Sequence, residues 1–211
     1  YIIDAKDKGI SVTELVTVDK TRPSIELNLD KVVAELLPGS EKNQEVINKV
    51  LDAGRLMLSA DSVGASQIML DKAVAYSLER KQFGRVIGSF QAVKHMCAEM
   101  AAELEPCHSM IWHAAHCYDH DPSQARLMAC HTKAHVSEVG KQISKTSTEV
   151  HGGMGFTDEL GLHYWFKRIG LNRQLLGSPE LVREEAARIQ NFDQSPAEGQ
   201  GNKEVGNPLL V

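Results

Sequence analysis

The spacing of apolar and polar positions changes period once along the chain, and that change divides it. Through about residue 33 the period is two. Tyr1-Ile2-Ile3 and the run from Ile10 to Leu15 are rich in β-formers, with Lys8-Gly9 between them. Ile25-Glu26-Leu27-Asn28-Leu29 alternates as a half-buried strand does. Two or three strands do not make an independently stable sheet, so this segment reads as the end of a larger β domain. Residues 32–37 read as a connection, closed by Leu37-Pro38-Gly39-Ser40. From Glu41 the period becomes 3.6. Val46, Val50, Leu51, Leu58, Val63, Ile68 and Val74 suit one long helix ending near Leu78. Gly54 and Gly64 inside it each cost about 1 kcal/mol relative to alanine, which predicts close approach of another group at both.

A second helix is expected over residues 89–118, kinked at Pro106, which removes a backbone donor. Asp119-His120-Asp121-Pro122 reads as a loop, with Pro122 suited to the first turn of a third helix running to about Val150. His151-Gly152-Gly153-Met154-Gly155 breaks that helix. A short helix is expected over residues 159–168. Ser178 as N-cap and Pro179 at the first helical position open a last helix, residues 180–191. Four helices, three of them long and joined by short corners, predict a mainly α fold: an antiparallel four-helix bundle over residues 39–192. Residues 1–38 are expected to be the end of a β domain. The Gln-, Gly-, Asn- and Pro-rich tail, 193–211, is expected to be mobile.

Composition acts by exclusion. A net charge of -5 leaves no basic excess to neutralise phosphates, which argues against a nucleic-acid partner. No apolar run approaches the length of a membrane span. Asp4, Lys6, Asp7 and Lys8 break the first stretch, so it does not read as a signal peptide, and Tyr1 in place of Met predicts a fragment or processed piece. Cys97, Cys107, Cys117 and Cys130 fall in predicted helices without a CxxC pair. They read as reduced, buried thiols of a cytoplasmic protein.

Candidate chemistry gathers at the corner between the first two helices, residues 76–91, YSLERKQFGRVIGSFQ. The plain reading of Arg80-Lys81-Gln82-Phe83-Gly84 is a solvated helix end with Gly84 as C-cap. The chemical reading is an anion or cofactor grip, with the planar fork of Arg80 and the amide of Gln82. Gln91 adds a second amide after the turn. The glycines after His151 either satisfy positive φ angles or let backbone approach a ligand closely. His113, His116, Cys117 and His120 share one helical face. Four ligands on one straight helix wrap a tetrahedral ion poorly, so no metal is assigned. His95, His131 and His135 read as surface or core histidines. Trp165 reads as a packing anchor, with the aromatic face of its short helix against the bundle.

Taken in order, YxxERKQFGxxIxxFQ, a long helical stretch and HGGMGFTDE resemble the C-terminal domain of the acyl-CoA dehydrogenases, and Thr21-Arg22-Pro23 resembles that family's exit from its middle β domain. The resemblance implies a helical bundle that packs FAD against the β domain and shares it across a dimer interface. It implies FAD-dependent α,β-dehydrogenation of an acyl-CoA thioester to the trans-2-enoyl-CoA, with electrons leaving to an electron-transfer flavoprotein. On matching positions, Arg80, Gln82, Phe83 and Gln91 would touch the neighbouring subunit's FAD, and Gly152 and Gly153 its adenosine part. Where the family usually has a Gln two residues before the His, this chain has Glu149, a carboxylate unfavourable beside a pyrophosphate unless paired.

The implied reaction removes a proton from the carbon α to the thioester and needs a carboxylate in a dry site. The family's Glu lies just before the Gly-Thr/Ser of the last turn, or on the first long helix one residue before an Arg. Here those residues are Leu176, before Gly177-Ser178, and Gly54, before Arg55. Two readings stay open. In one the base has moved to Asp61, two turns beyond Gly54 on nearly the same face, where members with bulky, sterol-like substrates often carry an acid. The plain alternative for Asp61 is a buried carboxylate paired with an arginine or a helix neighbour. Glu180 and Glu184 are further candidates, equally explained as favourable charge in a helix first turn. In the other reading the subunit is catalytically silent and lends Arg80 and Gln91 to another chain's FAD, in a homo- or hetero-dimer or tetramer. Arg55 is then a packing or thioester-side residue. An oxidase or flavin monooxygenase on the same fold is a third expectation. These 211 residues alone are not expected to bind FAD stably.

Overall fold

The computed structural model describes residues 1–40 and 43–192; Glu41, Lys42 and the tail 193–211, whose mobility was an expectation, lie outside the described residues. Three long helices carry the fold: α1 (Asn43–Glu79), α2 (Gln91–His120) and α3 (Pro122–His151). Two shorter ones follow, α4 (Leu162–Gln174) and α5 (Pro179–Ile189). Helices α1 to α4 form the four-helix bundle and α5 packs on α3. Short corners make consecutive long helices antiparallel. Asp121 caps α3 by accepting from the Ser123 amide at 3.2 Å, and Pro122 occupies its first turn. Ser178 and Pro179 open α5 in the same way. Pro106 lies inside α2 without ending it. Among the described residues no helix is long and apolar enough to cross a membrane.

The core runs between α1, α2, α3 and α4 through Val63, Met69, Leu70, Met100, Leu104, Val136, Ile143, Leu162 and Ile169. Helix α3 is central and buried along most of its length. The inner face of α1 differs from the one its apolar residues suggest: Val46, Val50, Ile68 and Val74 are exposed. Arg55, Ser59, Ser62, Ser66, Met69, Ala73 and Ser77 turn inward instead. Serine behaves there as a small residue, because Ser59 donates to the Arg55 carbonyl at 2.8 Å and Ser62 to that of Leu58 at 2.9 Å. Gly54 meets the close neighbour expected of it, but a Cβ at Gly64 would meet nothing within 4 Å.

Residues 1–40 form an arm of two antiparallel pairs. Strand β1 (Ile2–Ile3) pairs with β4 (Ala34–Glu35), which falls inside the stretch expected to be a connection. Strand β2 (Ile10–Leu15) pairs with β3 (Ser24–Leu29) from Ile10↔Leu29 to Leu15↔Ser24. The α1–α2 corner is a hairpin rather than a frayed helix end. Strand β5 (Lys81–Gln82) pairs with β6 (Arg85–Val86) across Phe83 and Gly84, whose φ values of 52° and 78° are those of a type I′ turn. Gly84 therefore serves the hairpin, not a helix cap. The short helix expected over residues 159–168 starts later and ends later. Gly161, at φ 61°, opens it, and Leu162, Ile169 and Asn172 form its buried stripe. Its aromatic residues do not seat in the bundle: Tyr164, Trp165 and Phe166 are 44%, 36% and 42% exposed.

Candidate functional site

The two motifs that carry the cofactor expectation lie at one end of the bundle. Tyr76, one turn before Arg80, stacks on His151, immediately before Gly152, with ring centroids 4.7 Å apart. His151 is buried and its Nδ1 donates to the Ser147 carbonyl at 2.7 Å. Beyond that pair the surface is open. Arg80 is exposed, and among the described residues no carboxylate is paired with it. Gln82 is exposed, with its amide donating to the Lys81 carbonyl at 2.8 Å. Phe83 is 91% exposed and meets Phe90 edge-on at 6.1 Å, while Arg85 stacks on the other ring of that pair, 3.9 Å from the Phe90 centroid. Gln91 opens α2 and is exposed. Gly152, at φ 58°, and Gly153 present bare backbone: a Cβ at either would meet nothing within 4 Å. Glu149 is exposed one turn earlier on α3.

At the other end, Gly54 and Leu176 are in direct contact. A Cβ on Gly54 would lie 2.4 Å from Leu176 Cδ1, so the leucine occupies the space a side chain at Gly54 would need. Leu176 holds a left-handed φ of 57°, uncommon for a bulky residue, and its carbonyl accepts from Arg55 Nε at 3.0 Å. Arg22, Gly54, Met57, Leu58, Leu175 and Leu176 line an open recess of about 350 Å³ without a carboxylate.

Asp61 faces a second recess, bounded by Thr21, Ala65, Tyr164, Trp165 and Arg168. Its carboxylate is fully engaged. Arg168 donates to both oxygens at 2.9 Å, Asn172 Nδ2 donates at 2.6 Å, and Arg22 lies 3.4 Å away. Burial alone would raise its pKa. The hydrogen bonds from Arg168 and Asn172 and the charges of Arg168 and Arg22 together outweigh burial and hold Asp61 below the ordinary carboxylate value. This is the geometry of an ion-pair anchor.

Residues 44–190 match the model of the acyl-CoA dehydrogenase C-terminal domain. The chain belongs to the acyl-CoA dehydrogenase family. It is 34% identical over 181 residues to the probable acyl-CoA dehydrogenase YngJ of Bacillus subtilis, covering 86% of this chain and 45% of that protein. It is 31% identical over 168 residues to the caffeyl-CoA reductase-Etf complex subunit CarC of Acetobacterium woodii, covering 75% and 43%. Among solved structures, a variant of the Tcur3481-Tcur3483 steroid ACAD superposes with a TM-score of 0.81 at 25% identity, over 90% of this chain and 51% of that one. The chain thus spans between 43% and 51% of the length of these proteins.

Within this acyl-CoA dehydrogenase domain the structure also reveals a buried charge cluster that sequence reasoning passed over. Arg55, 6% exposed, donates to Glu185 Oε2 at 2.8 Å and to Cys130 Sγ at 3.3 Å, and lies 3.5 Å from Asp52. Arg126 also pairs with Glu185. Arg55 is therefore committed to holding α5, α3 and the Leu176 turn together. Burial, only partly offset by Arg126 and Arg55, pushes Asp52 up. Burial also pushes Glu185 up, but the hydrogen bond and charge of Arg55 and the charge of Arg126 bring it below its ordinary value. Glu180 and Glu184 point elsewhere, paired with Arg173 and Arg188 at the surface. The Asp52–Arg55 spacing of three on one helix was the one local signal available. Glu185 and Arg126 are brought in only by tertiary packing. On α2 and α3, Cys107, Cys117 and Cys130 are buried free thiols and Cys97 is half-buried. Cys117 Sγ lies 3.7 Å from His113 Nε2, and the His116 and His120 rings stack at 4.8 Å.

Proposed function

We propose that this chain forms the C-terminal bundle of an FAD-dependent acyl-CoA dehydrogenase that converts an acyl-CoA thioester to its trans-2-enoyl product, with residues 1–38 the end of its β domain. The observation that carries the reading is the Tyr76–His151 stack at one end of a bundle of this family, which puts the helix turn ending in the exposed Arg80 and the helix end running into the bare Gly152-Gly153 backbone side by side. These residues fit the cofactor. The Arg80 fork suits a pyrophosphate, Gln82 and Gln91 suit neutral polar edges, and the glycines admit close approach. Glu149 opposes the anion from one turn away. FAD, when bound, supplies the hydride acceptor. Because the grip faces outward, it serves the cofactor of an adjoining subunit. An electron-transfer flavoprotein is the proposed acceptor, and the cytoplasm or mitochondrial matrix the proposed compartment. The test is flavin absorbance of the purified full-length protein. Arg80→Ala is expected to lower bound flavin about tenfold or more, the loss of a charge-assisted contact; unchanged flavin would sink the assignment.

One observation favours a second reading, a catalytically silent subunit in a mixed assembly. The two positions where the family resemblance puts a carboxylate hold Gly54 and Leu176, packed against each other, and neither side chain carries one. Asp61, held by Arg168, Asn172 and Arg22, is poorly placed to take up a proton at neutral pH. CarC is by name a subunit of a complex with Etf. Turnover of an acyl-CoA panel by the purified full-length chain alone decides between the readings. Activity without a partner refutes the silent subunit, and activity lost in Asp61→Asn, with the fold intact, would return Asp61 to the role of base.

A further inference from the structure

We propose that Asn172 is a positioning residue that couples the seating of the β arm to the geometry of the turn carrying Leu176. Asn172 is 1% exposed, in the last turn of α4, and each of its polar groups is held by a different element. Its Oδ1 accepts from Arg22 of the arm at 2.8 Å. Its Nδ2 donates to Asp61 Oδ2 at 2.6 Å and to Ser62 Oγ at 3.1 Å, both on α1. Its carbonyl accepts from Lys133 Nζ of α3 at 2.5 Å. Arm, α1 and α3 converge on one side chain and its carbonyl, a single helical turn before Leu176.

On the arm side the attachment is polar. Asp19 is the only buried residue among the described residues of the arm. Its Oδ1 accepts from the Thr21 amide at 2.9 Å and the Thr21 hydroxyl at 2.6 Å, and Thr21 Oγ1 in turn accepts from Arg168 at 2.9 Å. No apolar side chain of the arm is buried in the bundle, so this clasp sets where the arm sits. On the turn side, Lys133 also donates to the Arg173 carbonyl at 3.1 Å, and Arg55 holds the Leu176 carbonyl. Leu176 stays left-handed only because its surroundings enforce it. A buried polar group left unpaired costs as much as the bond it loses or more. The end of α4 cannot shift without breaking the Asn172 contacts to the arm and α1. Opening the clasp likewise leaves the buried Asn172 Oδ1 without its partner and removes one of the restraints on the end of α4, which α1 and Lys133 still hold. The two regions share one rigid, contiguous set of contacts, the physical requirement for mutual bias. The coupling stands whether or not the chain carries FAD.

Hydrogen exchange of the full chain, resolved by peptide, tests this with Arg22→Ala and Lys133→Met. Arg22→Ala is expected to speed exchange at residues 173–178, with none of which Arg22 makes a hydrogen bond or ion pair, by about fivefold or more. Lys133→Met is expected to speed exchange at residues 19–24 by a similar factor, as reciprocity of coupling requires. Arg188→Ala, on the exposed face of α5, is the control and should move neither. Acceleration confined to residues 19–24 in Arg22→Ala, and to residues 173–178 in Lys133→Met, overturns the proposal. Should Lys133→Met lose its helical circular dichroism, Arg22→Ala decides alone, since Arg22 is partly exposed on the arm and leaves the bundle core untouched.

Discussion

Asp61 and Lys133 are both charged side chains withdrawn from water, and they meet that cost in opposite ways. Asp61 is surrounded by cations and amide donors that favour its charged form. Lys133, 1% exposed, has only neutral acceptors: the Asn172 and Arg173 carbonyls and the Ser137 hydroxyl. Burial, with Arg55 and Arg173 nearby, lowers its pKa from 10.5 to about 8. The folded protein therefore releases this proton at lower pH than the unfolded chain does. Between about pH 8 and 10.5 the unfolded chain binds more protons, so stability from this group rises with pH across that window. Urea midpoints of wild type and Lys133→Met, compared at pH 7.5 and pH 10, are expected to show the wild type gaining relative to the variant as pH rises. A difference that stays constant would mean that Lys133 keeps an ordinary pKa in the fold.

At the scale of elements, the contact between α1 and the α4–α5 turn turns on one missing Cβ. Gly54→Ala would recover about 1 kcal/mol of helix propensity, but its new methyl group would meet Leu176 Cδ1 at 2.4 Å. Overpacking of this kind costs about 1–3 kcal/mol. The single variant is expected to be destabilised, and the same substitution in a Leu176→Ala background to be stabilising by about 1 kcal/mol. A urea double-mutant cycle measures the coupling, and additive effects would refute the contact. This contact also marks where sequence reading stops. Gly54 is conspicuous in a helical pattern, but the partner that makes it necessary lies across the fold. Helix α1 was legible as a helix because its period is regular. Its inner face was not, because serines bonded to their own helix fill positions that a count of apolar residues assigns to solvent. The hairpin at Lys81 to Val86 was visible as a corner, but its turn puts phenylalanine at positive φ, where asparagine or glycine is the usual signal.

For the whole molecule, what was legible follows how local the signal is. Arg80, Gln82, Phe83 and Gln91 lie close together in sequence, and Gly152 with Gly153 ends a helix, so the corner and the helix break proposed to hold the cofactor each carry a local signal. The Arg55 cluster, the Asp61 anchor and the Asn172 hub join residues more than a hundred positions apart, and no local pattern announces such pairs. The same distinction predicts how the chain comes apart. Helix α3 packs against α1, α2, α4 and α5 and is buried along most of its length. The arm strands pair only with each other, expose Val12, Ile25, Leu27 and Leu29, and make their side-chain hydrogen bonds to the bundle at Thr21 and Arg22. Regions with few buried contacts open at a fraction of the global free energy, and the most buried segments open only with the whole fold. Native-state hydrogen exchange is therefore expected to be fastest in β1 to β4, intermediate at residues 19–22 and slowest in α3. In mild urea the arm amides should exchange at rates independent of denaturant, while those of α3 follow the global unfolding curve. Arm strands protected as strongly as α3 would show that the arm is part of the cooperative core rather than clasped to it.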